Sequence, residues 1–528
     1  MTPAVYDAVV IGSGFGGAVV ATRLAEAGRS VVVLEQGRRW SPAEFPHTFG
    51  RSSAAVWDEQ SLGFLDYRVF ARVDVIQGVG VGGGSIPYFN VQLRAPAAIF
   101  ERPGWPAVVK RPLLDRYYER VEAVTTPAPL VPPAGDRLPA RTEAFLRGAA
   151  GAGYSPELLP IAVHTGDPRA HPLSGLSQLP CNYSSSCMLG CRGRSKNSLE
   201  VTYLPHGERN GLEIRPLHQV ERIAPAAGRD GYEVTVRRLD PDGSGAAQRG
   251  TVTGRTVVVT GGSLGSTELL LRARDRDRTL PRLPAALGRR FSANGEMLFA
   301  GTSAVDDVVD GSHGPSITAG AYVQRPGSPH VLLLEDLGFP PAFMSLLDGT
   351  IPGLGRLRAL GRVGAGYAKA ARRGSLFPTR ELFGGSFVPH FLPYLGMGTD
   401  AANGQFRLDE AGNLRLDWDP TRSAGMYAEM EEALRRISAA LGGTYRRSVL
   451  FRRPLKRMLT AHPLGGCVMS DRPEDGVVND RGEVWGHPGL YVADGAVIPG
   501  PLAANPSLTI AAVAERIAQW MVHGREAA

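Results

Sequence analysis

The feature that most constrains the fold is a glycine-rich turn between an apolar run and a helix-forming stretch. Residues 6–17 read YDAVVIGSGFGG, and residues 18–27 continue as a helix-forming sequence. Such a turn leaves the first N–H groups of the helix, and the positive end of its dipole, free to bind a pyrophosphate. The candidate phosphate-binding residues are Gly12, Gly14, Phe15, Gly16 and Gly17.

The residues after this helix extend the same unit. The apolar run 31–34 predicts a second buried strand, and Glu35 follows it directly. An acid about 20 residues beyond the glycines is placed to bind ribose hydroxyls. The pattern therefore predicts a site for an ADP-containing dinucleotide. The alternative is a tight strand–helix turn that binds nothing.

Three further segments favour FAD over a nicotinamide cofactor. A second glycine cluster allows the backbone to approach a ligand closely. A buried strand at 256–259 leads into Gly261, and a strand near the carboxyl terminus leads into Asp494 and Gly495. With the first glycine turn, these three segments give four separated contacts to one cofactor. A nicotinamide cofactor usually needs one Rossmann domain, so four contacts suit the longer FAD molecule. The candidates in the second cluster are Gly80, Gly82, Gly83, Gly84 and Ser85.

The composition indicates a globular enzyme. The chain has 528 residues, of which 43% are hydrophobic, and this is enough for more than one core. The net charge of +7 is small for this length, and without a basic patch with interleaved aromatic residues we expect no nucleic-acid partner. No apolar run reaches about 18 residues, so we expect no transmembrane helix. The first strand begins too early for a signal peptide, which predicts a cytoplasmic protein; a sequence trimmed of its leader is the alternative.

The chain resembles the glucose–methanol–choline (GMC) flavoprotein oxidoreductases, and within them the cholesterol oxidase-like branch. The motifs HPLGGC at 462–467 and NPSLTI at 505–510 are specific to that branch. The other matching segments are 6–17, 80–85, 196–198, 203–204, 217–220, 262–270 and 272–275. The resemblance implies an α/β fold, in which a Rossmann-like FAD-binding domain of GMC type carries a substrate domain built on an antiparallel sheet and helices.

The order of the motifs implies that both domains are discontinuous. We expect the FAD-binding domain to comprise 1–94, 197–300 and 458–528, which contain the cofactor motifs. The substrate domain would comprise 95–196 and 301–457. Most of the second of these ranges matches the family weakly, and we expect it to determine the choice of substrate.

Two residues of the branch-specific motifs are the candidate catalytic residues. Histidine side chains titrate near neutral pH and suit proton transfer from an alcohol. Pro506 favours an extended conformation at Asn505, which fixes the direction of its amide. The resemblance implies that His462 orients or deprotonates the substrate hydroxyl, while Asn505 binds it and tunes the flavin. A turn histidine and a helix-capping asparagine are the alternative from the residues alone.

Glu335 is the third candidate catalytic residue. It ends the apolar run 331–334, where burial would raise the pKa of a carboxyl group towards the range useful for carbon acids. By position it resembles the carboxylate with which sterol oxidases move a ring double bond, although Asp336 beside it blurs the assignment. The alternative is a strand-end carboxylate that faces solvent.

The resemblance also assigns individual contacts to FAD. It implies that Asp494 faces the ribityl–phosphate part, that the backbone of Val220 meets the adenine edge, and that Asn90 approaches flavin N5. A loop-capping role is the alternative for Asn90. Ala461 replaces the aromatic residue expected before the histidine, so the pocket should differ in shape. No histidine stands within 82–90, where some members tether their flavin, and we therefore expect non-covalent FAD.

Three of the four cysteines cluster within 181–191. The spacing of Cys181, Cys187 and Cys191 matches no standard zinc pattern, and a four-thiolate cluster would need a further ligand such as Cys467. We expect no metal site and favour packed free thiols. A disulfide and a vestigial iron–sulfur site are the alternatives.

One basic segment suggests a transient contact with a membrane surface. Leucines recur near helical spacing over 354–367 among several arginines, as in amphipathic helices that bind anionic lipid. Its four glycines weaken a helix, and a lid over the active site or a solvated helix are the alternatives.

Together these features predict FAD-dependent oxidation of a bulky hydrophobic secondary alcohol, with a 3-hydroxysteroid as the leading substrate and O2 or another acceptor reoxidising the flavin. The alternative is a flavoenzyme of natural-product biosynthesis. It would oxidise a polyketide or terpenoid alcohol, or catalyse an isomerisation or cyclisation without net oxidation.

Overall fold

The computed structural model describes most of the chain. The described ranges are 5–46, 55–133, 135–228, 230–241, 248–303, 308–340, 390–447 and 458–526. The helices in these ranges are α1 (Phe15–Glu26), α2 (Arg111–Thr125), α3 (Ala140–Gly151), α4 (Tyr203–Arg209), α5 (Gly262–Leu271), α6 (Ala424–Ala440) and α7 (Ser507–His523).

The strands follow the same chain order. They are β1 (Val5–Ile11), β2 (Val31–Leu34), β3 (Leu65–Val69), β4 (Val73–Gly78), β5 (Glu157–Leu158), β6 (Arg169–Ala170), β7 (Ser177–Gln178), β8 (Glu213–Arg215), β9 (His218–Pro225), β10 (Tyr232–Arg238), β11 (Gln248–Val259), β12 (Arg289–Phe291), β13 (Met297–Ser303), β14 (Ala319–Val323), β15 (Leu332–Asp336), β16 (Leu392–Gly398), β17 (Gly404–Leu408), β18 (Leu414–Asp417), β19 (Thr444–Arg447), β20 (Met458–Thr460) and β21 (Leu490–Val492).

A seven-stranded sheet is the centre of the dinucleotide-binding unit. The strands β8, β2, β1 and β11 lie side by side in parallel, β21 pairs in parallel with β11, and β10 and β9 continue the sheet antiparallel. The strand predicted at 31–34 is β2, and all four of its residues are buried. This pattern is typical of parallel strands covered on both faces. Helix α1 packs on β1 and β2, and α7 packs on α1.

The carboxyl ends of the parallel strands meet at one edge of this sheet. Gly12 follows β1, Glu35 follows β2, Thr260 follows β11 and Ala493 follows β21. Helix α1 begins at Phe15, earlier than its apolar sequence predicts, because Gly14 is its N-cap. The N-terminus of α1 therefore lies at the same edge as the predicted acids, the usual position of a nucleotide in such a sheet.

A six-stranded antiparallel sheet forms the second layer, in the order β19, β13, β16, β15, β14, β5. Helices α3 and α6 pack against it and against each other. One continuous cluster of buried side chains includes residues of both sheets, such as Val9 of β1 and Tyr394 of β16. Strand β13 runs from Met297 to Ser303, across the boundary predicted at residue 300. The division into two domains stays a prediction.

The segment 354–367 lies outside the described residues, as does the rest of 341–389. Within the described ranges, the helices are all too short or too polar to cross a bilayer.

Candidate active site

A cavity of about 610 Å³ opens at the carboxyl edge of the seven-stranded sheet and extends towards β13 of the second sheet. It brings together most of the residues predicted to bind cofactor or substrate. Those that line it are Gly12, Gly14, Phe15, Gly16, Glu35, Gly83, Gly84, Asn90, Val220, Gly261, His462, Asp494, Gly495, Asn505 and Pro506.

Five predicted site residues do not line this cavity; they are Gly17, Gly80, Gly82, Ser85 and Glu335. The first four support its wall. A Cβ on Gly17 would lie 2.1 Å from the Gly12 carbonyl oxygen, so glycine is needed for packing there. The Gly80 N–H donates to Glu35, and the Ser85 hydroxyl donates to the Gly82 carbonyl. Their predicted contact with the cofactor stays a prediction.

The first glycine turn presents free N–H groups to the cavity. Gly14 provides no side-chain cap to α1, and the Ser13 hydroxyl donates to Glu35 at 2.7 Å instead of capping the helix. A Cβ on Gly16 would lie 1.7 Å from the Ala493 carbonyl oxygen, so only glycine lets α1 approach the end of β21. A Cβ on Gly14 would meet no atom of the chain within 4 Å. The uncapped helix end suits a pyrophosphate.

Glu35 connects the two glycine clusters. Its carboxylate accepts hydrogen bonds from the N–H and hydroxyl of Ser13, from the Gly37 N–H and from the Gly80 N–H, at 2.7–3.1 Å. Burial raises the pKa of Glu35, and these hydrogen bonds oppose that shift. The predicted ribose contact stays a prediction.

Asp494 connects the ends of β11 and β21. Its Oδ2 accepts from the Gly262 N–H at 2.7 Å and from the Ser266 hydroxyl at 2.6 Å, while Oδ1 accepts from the Ala496 N–H at 2.8 Å. Burial raises the pKa of Asp494, and the hydrogen bonds oppose the shift. The carboxylate therefore fixes the N-terminus of α5 against the loop after β21, beside the cavity.

The donors and acceptors of this edge fit FAD. The uncapped glycine turn before α1 provides N–H groups for phosphates. The N-terminus of α7 contributes Asn505, Pro506 and Ser507 to the wall. Among the described residues, several buried polar atoms of the wall have no hydrogen-bond partner; they are Asn90 Oδ1, Glu296 Oε1, His462 Nδ1 and Asn505 Oδ1. Buried polar atoms without partners are rare in folded proteins and point to a ligand.

His462 lies in a tight turn after β20. A Cβ on Gly465 would lie 2.1 Å from the Arg290 carbonyl oxygen, and one on Gly466 would lie 2.1 Å from the Thr267 hydroxyl. These glycines let the turn pack closely and hold the imidazole at the cavity. The Nδ1 atom of His462 lies 3.2 Å from Oε2 of Glu296, in an orientation that does not meet hydrogen-bond geometry.

Glu296 is a site residue that the sequence did not reveal. It lines the cavity, and only 1% of its side-chain surface is exposed. No recognised motif surrounds it. The one local signal is the preceding Asn294-Gly295 pair, in which both residues have positive φ angles, of 54° and 58°, as in a tight turn.

Glu335 reaches the cavity through Asn505. The Asn505 Nδ2 donates to Glu335 Oε2 at 3.3 Å, and Glu335 is fully buried. Burial raises its pKa well above the ordinary value, the hydrogen bond opposes this, and the charges of Asp336 and Glu296 raise it further. The solvent-facing alternative is therefore wrong, because this carboxyl group is enclosed.

Asp336 belongs to the opposite face of β15. It forms a buried ion pair with Arg141 and accepts from the Thr318 N–H and hydroxyl, both at 2.8 Å. Successive side chains of a strand point to opposite faces. The ambiguity between the two neighbouring acids is thus removed: Glu335 faces Asn505, and Asp336 faces α3.

Asn90 lies between the cavity and the cysteine cluster. It has a φ angle of 73°, and its Nδ2 donates to Cys187 Sγ at 3.0 Å. All four cysteines are free thiols. The pKa of Cys181 is raised to about 12 by burial and by the neighbouring Cys187. Within the described ranges, no group of three His, Cys, Asp or Glu side chains is arranged to hold a metal ion.

One wall of the cavity is apolar. Phe89 and Phe339 contact each other with ring centroids 5.9 Å apart, and Met188, Leu298 and Val91 line the same cavity. The sequence did not single out these residues, because an isolated apolar side chain carries no motif. A polar edge and an apolar wall in one cavity are typical of sites for a cofactor and an organic substrate.

A dinucleotide-binding edge, joined to a histidine, an asparagine and two carboxyl groups, is the arrangement of a flavin-dependent oxidoreductase. The family model described as GMC oxidoreductase matches the chain in an amino-terminal part over 6–274 and in a carboxyl-terminal part over 403–514. The chain belongs to the GMC oxidoreductase family. It is an FAD-dependent enzyme that acts on CH–OH groups, which confirms the predicted fold class, cofactor and enzyme class.

Individual relatives agree with this assignment. A cholesterol oxidase of Acinetobacter baumannii is 29% identical, over 98% of this chain and 94% of its own. One of Mycobacterium tuberculosis is 30% identical over 97% and 90%. A long-chain-alcohol oxidase of Arabidopsis thaliana is 23% identical over 98% and 67%. The crystal structure of pyridoxine 4-oxidase from Mesorbium loti has a TM-score of 0.63 at 18% identity, covering 98% of this chain and 99% of that one.

Proposed function

We propose that this enzyme oxidises a bulky hydrophobic secondary alcohol to a ketone, with a 3-hydroxysteroid as the best candidate. The observation that carries the proposal is the position of His462 and Asn505 in a cavity that is also lined by apolar side chains such as Phe89 and Phe339. Similarity to two cholesterol oxidases at 29% and 30% identity supports a sterol-sized substrate.

The chain's own residues would manage the substrate hydroxyl. Bound FAD supplies the acceptor for the carbinol hydrogen and its electron pair. The imidazole of His462 accepts the hydroxyl proton, since it lies at the polar end of the cavity with a carboxylate behind it. Asn505 directs its amide towards the same end, and its Oδ1 is free to accept a hydrogen bond from the hydroxyl. The apolar wall orients the hydrocarbon part and excludes water.

The same site would hold FAD through its backbone. The N–H groups at Gly14, Phe15 and Gly16 suit the pyrophosphate, and the N-terminus of α7 suits the electron-rich end of the flavin. Pro87 lies at the cavity wall within 82–90, a range without histidine. This supports non-covalent binding.

Isomerisation of a double bond is a second step that Glu335 supports in part. In its ionised form, a buried carboxyl group with a raised pKa is a strong enough base to take a proton from one ring carbon, and the neutral acid so formed can return that proton to another. In this structure, however, Glu335 does not line the cavity and contacts it through Asn505. Isomerisation therefore requires the Asn505 amide to move aside.

A second candidate substrate is a long-chain primary alcohol. It is favoured by the similarity to long-chain-alcohol oxidases of Arabidopsis thaliana, at 22–24% identity. Such a substrate would bind the same apolar wall and present its hydroxyl to His462. The steroid is preferred because the cholesterol oxidases match at higher identity over nearly the whole length of both chains.

The experiment is anaerobic mixing of the holoenzyme with candidate alcohols while the flavin absorbance is followed. Dehydroepiandrosterone or cholesterol should bleach the flavin, and hexadecanol should do so slowly or not at all. Bleaching by hexadecanol alone would favour the second candidate. If none of these alcohols bleaches the flavin, both candidates are wrong. Readmission of O2 then shows whether oxygen restores the oxidised spectrum.

A further inference from the structure

The carboxylate of Glu296 is held rigidly behind His462. It follows the turn 293–295, whose N–H groups at Ala293 and Gly295 donate to Asp400 at 2.9 Å and 3.1 Å. The Asn294 side chain donates to the Ala504 carbonyl at 2.9 Å, which connects this turn to the segment that carries Asn505. The turn that precedes Glu296 is therefore held by Asp400 and by the segment that carries Asn505.

Glu296 also holds the segment that precedes the histidine. Its Oε2 accepts from the Thr460 hydroxyl at 2.7 Å and from the Ala461 N–H at 2.8 Å. The Thr460 hydroxyl in turn accepts from the His462 N–H at 3.0 Å. The same Oε2 lies 3.2 Å from His462 Nδ1, so one carboxylate oxygen contacts three successive residues.

The contact between Glu296 Oε2 and His462 Nδ1 determines which nitrogen of the imidazole carries the proton. An oxygen that accepts two hydrogen bonds does not itself carry a proton for a third neighbour. An unprotonated Nδ1 carries partial negative charge, and at 3.2 Å in a buried site it would be repelled by the carboxylate oxygen. A proton on Nδ1 makes the contact attractive. In the neutral ring the other nitrogen, Nε2, is then the acceptor.

We propose that Glu296 is a positioning residue that keeps the proton of His462 on Nδ1 and thereby leaves Nε2 unprotonated to accept the hydroxyl proton of the alcohol. This inference rests on the proposed function for its catalytic consequence, whereas the tautomer itself exists in the resting enzyme. When the hydroxyl proton reaches Nε2, the ring carries a positive charge, and the adjacent carboxylate stabilises it. The remaining oxygen, Oε1, has no partner among the described residues and contributes negative charge to the cavity wall.

Two substitutions separate this role from simple packing. Glu296→Gln keeps the shape and an amide oxygen that can accept from Thr460 and Ala461, but it removes the charge. Glu296→Asp keeps the charge on a shorter side chain. We expect Glu296→Gln to lower the rate constant of flavin reduction about 10²-fold or more with little change in KM. Glu296→Asp should restore part of the rate.

The tautomer can be measured without turnover. Selective ¹⁵N labelling of the eleven histidines, with His462→Gln to identify the signals of this ring, gives separate nitrogen shifts for Nδ1 and Nε2. In the resting wild-type holoenzyme, Nδ1 should show the protonated, pyrrole-type shift and Nε2 the unprotonated, pyridine-type shift. In Glu296→Gln, the ring should be a mixture of the Nδ1-protonated and Nε2-protonated tautomers, or mainly the Nε2-protonated tautomer. Glu200→Gln, which alters a partly buried carboxylate outside the cavity wall, is the control and should leave the spectrum unchanged.

A pyridine-type Nδ1 in the wild type would overturn the proposal, as would an unchanged tautomer in Glu296→Gln. If Glu296→Gln fails to bind flavin, the Glu296→Asp spectrum and the wild-type spectrum still decide the question. If no alcohol reduces the flavin while the wild-type shifts are as expected, the proposed function fails and the positioning role stands.

Discussion

Asn505 Nδ2 donates a hydrogen bond of 3.3 Å to Oε2 of Glu335, and this contact connects a fully buried carboxyl group to the cavity. It leads to a prediction about the product formed from a 5-ene-3-hydroxysteroid. Glu335→Gln should still oxidise the alcohol, but it should release the unconjugated ketone because the carboxyl group proposed to move the ring proton is gone. Chromatography of the products and the absorbance of the conjugated enone measure this directly. A fully conjugated product from Glu335→Gln would remove Glu335 from the reaction.

The same carboxyl group should make stability depend on pH. Because burial raises its pKa above the ordinary 4.5, Glu335 keeps its proton in the folded state at pH values where the unfolded chain loses it. Its contribution to stability is complete below about pH 4.5 and is lost as pH rises through the folded-state pKa, at about 1.4 kcal/mol for each unit between the two values. Glu335→Gln has no such proton to lose.

Urea unfolding at several pH values between about 5 and 8 tests this dependence. The free energy of unfolding of Glu335→Gln should improve relative to wild type as pH rises. Glu35, Asp400 and Asp494 also have raised pKa values, so only the difference between the two proteins is informative. A constant difference across this range would show that Glu335 is ionised in the folded enzyme.

Replacement of His462 should separate binding from catalysis. His462→Gln should retain FAD and the melting temperature, since the imidazole packs at the cavity and not in the core, while flavin reduction by the alcohol should slow about 10²–10⁴-fold. His523→Gln, at the exposed end of α7, is the matched control and should behave as wild type. If flavin is reduced at the same rate in His462→Gln and His523→Gln, His462 does not accept the hydroxyl proton.

The open space beside Gly14 predicts a variant that folds but binds FAD weakly. A Cβ at Gly14 meets nothing within 4 Å of the chain but projects from a residue of the cavity wall. Gly14→Ala should therefore keep the melting temperature of the apoprotein and lower FAD affinity by about tenfold or more, since a clash costs about 1–3 kcal/mol. Flavin fluorescence titration measures the affinity. Gly500→Ala, away from this wall, should bind FAD normally, and an equal affinity in Gly14→Ala would place the pyrophosphate elsewhere.

Much of the cofactor edge could be predicted because its signals are local in sequence. The turn from Gly12 to Gly17 and the strand before Glu35 form one contiguous unit, in which strand, turn and helix follow from the nearest neighbours. The His462 and Asn505 motifs are likewise short and contiguous. The sequence did not show which glycines line the cavity. Gly83 lines it, whereas the nearby Gly80 and Gly82 do not.

The substrate side could not be predicted for a different reason. Glu296 lies far from His462 in sequence and meets it only because a turn fixed by Asp400 brings β13 beside β20. The distinction between Glu335 and Asp336 depends on the face of β15 that each occupies, and this is determined by pairing with β14 and β16. Such contacts depend on tertiary structure and not on local pattern.

In the proposed reaction, the alcohol gives its carbinol hydrogen directly to bound FAD beside His462. The most direct measurement is stopped-flow, anaerobic flavin bleaching by dehydroepiandrosterone that carries deuterium in place of the hydrogen on carbon 3. Bleaching by the deuterated steroid should be several-fold slower, because the bond to this hydrogen breaks in the step, while the final extent of bleaching should be unchanged. Bleaching at the same rate with both steroids when chemistry limits the step, or no bleaching with either, would contradict the proposed reaction.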